Sequence, residues 1–363
     1  MAVIMFQGEE IVVDSNSQPK EGPFKKAAKY RYPVSPKEGV RAMFQRRPLW
    51  QITGSEEALF SPACVPDNVA RSLVIEARAF DPLQGGGKDM FGIEWEYVPV
   101  AGGSMVRPGK PFLEDAGEWY DKLVWPDPDS WAWEETAAAN REFLQTDAYV
   151  CMWFLTGWYE RLISFMDFEG AIMALVDEDQ QDAVKELFDK LSDLYIHIFR
   201  NALDVMPEID GFCIHDDWGG QKETFFSPSI VEEMIVPYMK RVTDYLHSRG
   251  KTCELHSCGN NYKQVPNMIK AGWDRWNPQP MNDTYRIYDD YGDKILVGVM
   301  PRMSKAGEAD EDQQRREAEA FVQKFCADPH KPCFINKTAA REMTPAFSEE
   351  LYKLSRMAYI GNM

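Results

Sequence analysis

The stretch that decides the fold runs from Asp210 to Gly259 and reads DGFCIHDDWGGQKETFFSPSIVEEMIVPYMKRVTDYLHSRGKTCELHSCG. Two short apolar runs at its ends have the length of strands, and a helical pattern lies between them. Ser227 is placed to cap that helix, Pro228 suits its first position and Gly250 follows its end. A strand, a helix and a second strand in this order form a unit that connects parallel strands.

Reactive side chains follow both predicted strands. His215, Asp216 and Asp217 end the first strand, and His256 and Cys258 end the second. Ligands bind beyond the carboxyl ends of parallel strands, whether the sheet is open or closed. We therefore expect these five side chains to form the functional site.

The rest of the chain repeats this alternation of strands and helices. Further strands are predicted at 49–53, 148–155, 273–278, 295–300 and 333–336, and helices at 177–204, 310–327 and from Thr344 onward. Seven or eight alternations predict a parallel α/β fold, and the count and length favour a closed TIM (β/α)8 barrel. We predict an N-terminal arm over 1–34, a single catalytic barrel domain over 35–363 and a β-hairpin insertion over 81–112.

Composition excludes several classes of function. The 363 residues have a formal net charge of −18, which argues against nucleic acid as a partner. No run is long and apolar enough to span a membrane, and the start MAVIMFQGEE has no export signal, so we expect a cytoplasmic protein. Seven scattered cysteines are typical of reduced thiols. The sequence contains neither a GxGxxG nor a GxxxxGK[ST] motif, so neither motif indicates a nucleotide-binding site.

Several motifs together resemble the uroporphyrinogen decarboxylase superfamily. They are SPKEGVRAMFQRRPLW, KDMFGIEW, TGWYERL, IHDDWG, FFSPSIVEEMIVPYMKRVTDYLHSRGK, ELHSCGN and TPAFSEEL. The resemblance spans residues 35–358 and is strongest over 211–259. It implies a distorted TIM barrel and either a decarboxylase or a cobalamin-dependent methyltransferase.

The decarboxylase branch is the weaker match. Its signature implies paired arginines after the first strand, where they hold substrate carboxylates. Here that region reads WQITGSEE and has no arginine between Trp50 and Arg71. This absence disfavours uroporphyrinogen as the substrate.

The methyltransferase branch matches at HSCG, where His256 and Cys258 are implied zinc ligands. The third zinc ligand of related coenzyme M methyltransferases, a cysteine in the last loop between strand and helix, is absent, because Thr338 to Ala340 occupy its place and Cys333 comes too early. A carboxylate of Glu254, Asp216 or Asp217, water or substrate would have to complete the zinc site. The alternative is that His256 and Cys258 shape the pocket without a metal.

Loss of this cysteine ligand disfavours a thiol acceptor, so the resemblance favours the reverse direction of methyl transfer. The enzyme would demethylate a methoxylated aromatic and pass the methyl group to cob(I)alamin on a partner corrinoid protein. A phenolate leaves poorly, so an acid or Lewis acid must assist it. The candidates for that acid are Asp216, Asp217 and His215.

Further residues are predicted to bind substrate because they lie at strand ends or match family motifs: Trp153, Phe154, Trp218, Asp89, Asn336 and Lys337. Two alternatives stay open at this point: a decarboxylase of another small acid, and a barrel that only binds a corrinoid or tetrapyrrole. A homodimer is compatible with the sequence, which does not fix the oligomeric state.

Overall fold

A computed structural model describes residues 5–11, 30–100 and 102–361. The described residues cluster into two compact units. The first comprises residues of 1–58, 147–149 and 274–363, and the second comprises 59–146 and 150–273. Within these described ranges, no helix has the length and apolar character needed to cross a membrane.

Ten strands and fourteen α-helices are present in the described residues. The strands are β1 Glu57–Phe60, β2 Gly87–Lys88, β3 Glu94–Val98, β4 Gly103–Val106, β5 Tyr149–Phe154, β6 Gly211–His215, β7 Thr252–His256, β8 Arg275–Trp276, β9 Leu296–Val299 and β10 Phe334–Ile335. The helices are α1 Pro36–Phe44, α2 Pro66–Ala70, α3 Trp119–Lys122, α4 Trp133–Ala139, α5 Arg141–Leu144, α6 Trp158–Val176, α7 Glu178–Val205, α8 Pro228–Met234, α9 Val236–Ser248, α10 Val265–Lys270, α11 Thr284–Tyr291, α12 Glu311–Phe325, α13 Lys337–Ala340 and α14 Pro345–Gly361.

Parallel strands form the centre of the second unit. Strand β5 pairs in parallel with β6, and β6 pairs in parallel with β7. All five residues of β6 are buried, as expected for a parallel strand covered on both faces. The crossovers between these strands are helical, with α6 and α7 after β5 and α8 and α9 after β6. The strand, helix, strand unit predicted from Asp210 to Gly259 is therefore confirmed.

The first unit repeats the pattern with β8, β9 and β10, which also pair in parallel. Its chain ends are joined by a buried ion pair, because Arg356 Nε of α14 lies 3.0 Å from Glu10 Oε2. The parallel α/β class is thus confirmed in both units. Closure into a full eight-stranded barrel and the division into an arm and a single domain stay predictions.

Residues 81–112 contain the short antiparallel strands β2, β3 and β4, which pair in that order. Whether this small sheet is an insertion in a barrel stays a prediction. Most of the predicted arm over 1–34 lies outside the described residues. Within it, Gly8–Ile11 forms one turn of 3-10 helix.

Two predicted elements were wrong. Residues 49–53 do not form a strand; the first strand is β1, and the turn before it uses Gly54 at φ +95°. The long helix predicted over 228–249 is two helices, which break at Ile235 with φ −124° and ψ −48°. Pro237 explains the break, because it has no N–H to donate and its ring clashes with the preceding turn. Helix α11 was not predicted.

Candidate functional site

Two histidines occupy matching positions at the ends of neighbouring strands. His215 ends β6, His256 ends β7, and the two are direct register partners in the parallel pair. A second residue of a type that can bind metal follows each histidine two positions later. It is Asp217 in the loop after β6 and Cys258 in the loop after β7. The ligand atoms of these four side chains all lie within 4.8 Å of one another. We call these four residues the ligand cluster.

Direct contacts connect the members of the ligand cluster. His215 Nε2 lies 3.0 Å from Asp217 Oδ1, and the Cys258 backbone N–H donates to the same oxygen at 2.6 Å. Cys258 Sγ lies 3.5 Å from His256 Nε2. The two loops are therefore joined through Asp217 as well as through the strands.

The loops that carry Asp217 and Cys258 also pack backbone against backbone. A Cβ atom on Gly259, which has φ +89°, would lie 2.0 Å from the carbonyl oxygen of Gly219. Ser257 Oγ accepts the Trp218 backbone N–H at 3.1 Å and an Asn261 N–H at 3.0 Å. Glycine is therefore required at residue 259, where the close approach fixes the distance between the two loops.

Asp216 has different surroundings from Asp217. Its Oδ1 accepts the Glu160 backbone N–H at 2.8 Å, and its Oδ2 accepts the Trp218 indole N–H at 2.9 Å. Gly157, the N-cap of α6, has no side chain to cap that helix, and a Cβ there would lie 2.7 Å from Asp216 Cβ. Asp216 thus caps the helix from another segment of the chain and is fully buried.

Arg71 and Glu160 extend the site beyond the residues that the sequence indicated. Arg71 Nη2 lies 3.0 Å from His215 Nδ1, and Arg71 Nη1 lies 2.7 Å from Glu160 Oε2. The guanidinium stacks over the Trp95 ring at 4.8 Å. Arg71 follows the short helix α2 and Glu160 lies in the first turn of α6, so three separate segments meet at His215.

The charges at the site shift the pKa values of its members in different directions. Burial lowers the pKa of His215, but the Asp217 and Glu160 carboxylates outweigh it and hold that pKa well above its ordinary value. Burial raises the pKa of Asp217, yet the neighbouring His215 dominates and keeps it below the usual range. Burial raises the pKa of Asp216 to about 7 and also raises the pKa of the Cys258 thiol.

The predicted aromatic residues separate into two groups. Trp153 is half-buried on β5, and its ring centroid lies 5.4 Å from that of His256. Phe154 is fully buried and packs against Tyr195 and Phe199 of α7. Neighbouring strand residues point to opposite faces, which corrects the prediction that both rings line one pocket.

Trp218 and Asp89 are also buried within the protein. Trp218 is fully buried, and its indole N–H is used by Asp216, which corrects the prediction that it contacts substrate. Asp89 accepts the Trp95 indole N–H at 3.0 Å and lies 2.6 Å from Arg161 Nη1. These contacts favour the stability of the small antiparallel sheet over a pocket contact for Asp89.

Asn336 and Lys337 belong to the other compact unit. Asn336 is fully buried, donates to the Pro278 carbonyl at 2.7 Å and caps α13 through the Thr338 N–H. Lys337 Nζ lies 4.0 Å from Glu57 Oε2. Their predicted role in binding substrate stays a prediction.

The donor set of the ligand cluster suits zinc. It offers imidazole nitrogen, thiolate sulfur and carboxylate oxygen, which are the three ligand types that zinc takes in proteins. The Cys258 thiol has a raised pKa here, and a bound zinc ion would deprotonate it. Glu254 and Asp216, which were alternatives for completing the site, are outside the ligand cluster.

The part of the chain that contains this site matches the sequence profile of a known family. Residues 161–333, slightly less than half of the chain, match the sequence profile of the family Uroporphyrinogen decarboxylase (URO-D). The matched range contains β6, β7 and the whole ligand cluster. The resemblance to the uroporphyrinogen decarboxylase superfamily is confirmed. No curated protein matches this sequence.

A solved structure is similar to this chain in fold. It is a methyltransferase from Methanosarcina mazei, with a TM-score of 0.54 and 13% sequence identity. The match covers 89% of this chain and 98% of that chain. At this identity the likeness supports the TIM-like α/β fold expected of the superfamily.

Sequence reasoning missed part of the site. It placed His215 and Asp217 near His256 and Cys258 but did not join all four as one donor set. The matching His-x-Asp and His-x-Cys spacing at the ends of successive strands could have indicated it. No comparable spacing indicated that Arg71 and Glu160 belong to the site, because neither lies in a motif at a predicted strand end.

Proposed function

We propose that this protein is a methyltransferase that takes a methyl group from a methoxylated aromatic compound and transfers it to a corrinoid on a separate protein. The observation that carries the proposal is the ligand cluster at the ends of β6 and β7. A site with nitrogen, sulfur and oxygen donors suits a Lewis acid, which is what a poor leaving group such as a phenolate requires.

The reaction breaks the bond between the ether oxygen and the methyl carbon. A Co(I) corrinoid supplies the electron pair that forms the new bond to the methyl carbon, while the electrons of the broken bond stay on oxygen. That oxygen must receive a proton or be held by a cation as the bond breaks. Where no cation holds the oxygen, His215 is the group best placed to provide the proton, since Asp216 is fully buried and the low pKa of Asp217 keeps it ionised.

A zinc ion held by the ligand cluster would supply the positive charge that stabilises the departing oxygen. The chain contributes by fixing its ligands before the substrate arrives. Two contacts hold these ligands in place. His215 is the register partner of His256, and the Cys258 N–H donates to Asp217. Such preorganisation is effective because the ligands need no rearrangement during the reaction.

Trp153 is the strongest candidate for holding the aromatic ring of the substrate. It is half-buried, and its ring lies beside His256 of the ligand cluster. Aromatic rings pack favourably in offset or edge-to-face arrangements, so an exposed part of the indole can bind a methoxylated ring. A Trp153→Ala variant should therefore bind aromatic ethers more weakly.

Arg71 bears on the decarboxylase alternative. It is an arginine at the site, but its charge is already balanced by Glu160 at 2.7 Å. A small acid as substrate would require a cationic group whose charge is not already balanced by a carboxylate of the chain. Methyl transfer from a neutral ether is therefore the better fit.

The test is an anaerobic spectrum of purified protein with cob(I)alamin and a panel of aryl methyl ethers, including guaiacol and veratrole. We expect the Co(I) absorption to be replaced by that of methylcobalamin, with release of one phenol per methyl group. His256→Gln should abolish the reaction, and the half-exposed surface variant His197→Gln should retain it. Persistence of Co(I) with every ether, in protein shown to contain zinc, would reject the aryl ether proposal.

A further inference from the structure

The second half of α6 exposes an apolar face. Phe168, Met173 and Val176 are 46%, 52% and 44% exposed, and Ile172 beside them is half-buried. Residues four apart lie on one side of a helix, so Phe168, Ile172 and Val176 form one row with Met173 next to it. The opposite side is fully buried through Ala171, Ala174 and Leu175. We call Phe168, Ile172, Met173 and Val176 the α6 stripe.

A break in α6 separates the stripe from the part of the helix that lies at the candidate site. Asp167 has φ +60° and ψ 173°, and a positive φ is rare for a residue with a side chain. Two contacts hold the break. The Gly109 N–H donates to Asp167 Oδ2 at 2.6 Å, and the Leu113 N–H donates to the Phe165 carbonyl at 2.8 Å. The second half of α6 therefore has its own direction, separate from the first turn that carries Glu160.

The α6 stripe begins beside the loop that carries Asp217. The ring centroid of Phe168 lies 5.0 Å from that of Phe225. The Phe225 N–H donates in turn to the carbonyl of Trp218, the residue after Asp217, at 2.8 Å. The stripe is thus continuous with the rim of the candidate site.

Helix α7 shows that this region extends beyond the carboxyl ends of the strands. Tyr195 packs against Phe154, the last residue of β5, with ring centroids 4.7 Å apart. One turn later Phe199 packs against Phe212, near the start of β6, at 4.7 Å. The part of α7 before Tyr195 therefore projects beyond the strand ends, over about 25 Å. Because a single residue separates α6 from α7, the stripe runs from the site rim toward the tip of this projection.

Carboxylates accompany the α6 stripe. No lysine or arginine lies between Arg161 and Lys185, whereas that segment contains Asp167, Glu169, Asp177, Glu178, Asp179 and Asp182. Most of these acidic side chains are exposed, namely Glu169, Glu178, Asp179 and Asp182. An apolar surface with acidic neighbours complements a protein surface that has lysines or arginines around an apolar centre.

The same charges disfavour a second copy of this chain as the occupant of the stripe. In a dimer with two-fold symmetry the same patch of both copies meets, so carboxylates would face carboxylates. The formal net charge of −18 adds to this repulsion. A different protein is therefore the better fit.

We propose that the α6 stripe is the surface on which the corrinoid-carrying protein docks, with basic side chains of that protein facing the carboxylates beside the stripe. This inference rests on the proposed function and deepens it by locating the contact with the partner. A corrinoid held by a separate protein can reach the ligand cluster only if that protein contacts the rim of the site. The α6 stripe is exposed apolar surface at that rim, which is the kind of surface that protein partners cover.

Photo-cross-linking tests what covers the stripe. The variant carries p-benzoylphenylalanine in place of Met173 and is irradiated in the cells that naturally produce the protein. We expect a cross-link to a second polypeptide, in a product that contains cobalt and has the absorption of a corrinoid. The matched control carries the same group in place of Met357, which is also 52% exposed, and should give no product with cobalt. A cross-link from position 173 to a second copy, within the chain or to a protein without cobalt would overturn the inference, as would the lack of any cross-link.

The affinity for the cross-linked protein, once purified, is the second test. Met173→Lys removes an apolar contact and places a cation where we expect those of the partner. Its Kd for the partner, from isothermal titration calorimetry, should rise by about 10-fold or more. Met173→Glu loses the apolar contact without the charge conflict and should bind more tightly than Met173→Lys. Met357→Lys should match the wild type, and an unchanged Kd for Met173→Lys would contradict the inference.

Methyl transfer separates this inference from the function on which it rests. Free cob(I)alamin needs no docking surface, so Met173→Lys should methylate it at the wild-type rate. With the corrinoid protein as acceptor, the kcat/KM of Met173→Lys should fall by about 10-fold. If the wild type methylates neither acceptor, the proposed function fails, while the cross-link and the Kd still decide what binds the stripe. If the wild type and Met173→Lys methylate both acceptors equally well, the docking inference alone fails.

Discussion

Asp216 and Asp217 are adjacent in sequence but have opposite chemistry. Asp217 lies 3.0 Å from His215 and has a lowered pKa, whereas burial raises the pKa of Asp216 to about 7. Asp217 belongs to the ligand cluster and accepts the Cys258 N–H, whereas Asp216 caps α6 through the Glu160 amide. The environment of each side chain, not its residue type, therefore assigns its role.

The raised pKa of Asp216 predicts a pH-dependent stability. Its folded-state pKa of about 7 lies above the usual 3.8, so the folded state binds the proton more tightly and loses stability as pH rises between these values. The loss should amount to about 1.4 kcal/mol per pH unit. Relative to Asp216→Asn, wild-type stability in urea should therefore fall by about 2 kcal/mol between pH 5.5 and 7.

The exposed variant Asp121→Asn is the control for this measurement. Its free energy of unfolding should track that of the wild type at every pH. A difference between wild type and Asp216→Asn that stays constant over the range would contradict the shifted pKa.

Arg161 carries a buried charge whose removal should lower the free energy of unfolding. Its side chain and those of Asp67 and Asp89 are fully buried, and it forms ion pairs with both. Arg161→Met should destabilise the protein by about 3–5 kcal/mol, because two buried carboxylates lose their counter-ion. Urea unfolding measures the change, and the exposed control Arg107→Met should cost less than about 1 kcal/mol.

A triple variant with Arg161→Met, Asp67→Asn and Asp89→Asn sharpens this test. Replacing a whole buried ion set by neutral groups is often close to neutral in stability. The triple variant should therefore recover part of the loss. No recovery would mean that packing, not charge, explains the single variant.

Single residues also show what the sequence could predict of the site. HSCG predicted His256 and Cys258 as neighbours, because residues two apart on a strand lie on one side. The presence of Arg71 at the site could not be predicted. Arg71 and His215 are 144 positions apart in sequence, and no motif marks the segment that contains Arg71. Long-range contacts of this kind depend on the packing of the whole unit.

At the scale of elements, periodicity and capping predicted most boundaries within a few residues. Ser35 caps α1, with its hydroxyl accepting the Glu38 N–H. The break at Ile235 was missed although Pro237 was visible, because apolar spacing continues through both halves of the helix. The strand predicted at 49–53 is absent, because a short apolar run can also form a buried segment without regular secondary structure.

The close packing of the two site loops predicts the effect of a single methyl group. Gly259→Ala should cost several kcal/mol and lower zinc binding, because its Cβ would lie 2.0 Å from the Gly219 carbonyl and separate Asp217 from Cys258. Gly109→Ala is the matched control, since Gly109 has φ +83° and no atom within 4 Å of its Cβ position. It should cost only the backbone strain of about 1–2 kcal/mol.

Thermal unfolding and zinc content measure both glycine variants. The prediction requires that Gly259→Ala loses zinc and Gly109→Ala keeps it. If both variants keep zinc equally, the loop contact does not position the ligands.

At the scale of the chain, the ion pair between Glu10 and Arg356 joins residues 346 positions apart. The side chains are 6% and 1% exposed, and Tyr352 also donates to Glu10 at 2.7 Å. Glu10→Ala should destabilise the protein by about 3–5 kcal/mol, because it leaves a buried guanidinium without its counter-ion. Urea unfolding would measure the loss, and the exposed neighbouring change Glu9→Ala should have almost no effect.

The sequence predicted the parallel α/β class because strands and helices alternate along the whole chain. It could not predict the Glu10 contact, since residues 1–34 have no periodicity and nothing in them points to α14. Sequence patterns report local structure well, whereas contacts between distant segments depend on the three-dimensional arrangement.

The cap that Asp216 places on α6 also makes one amide a reporter of the site. The Glu160 N–H is protected by a carboxylate from the loop of Asp217, not by a residue of its own helix. Each opening of that loop should release this amide to solvent, so its hydrogen exchange rate measures how often the site opens. If zinc holds the loop closed, the hydrogen exchange of this one amide should slow when the metal binds. Its exchange rate would then report opening of the site in the absence of substrate.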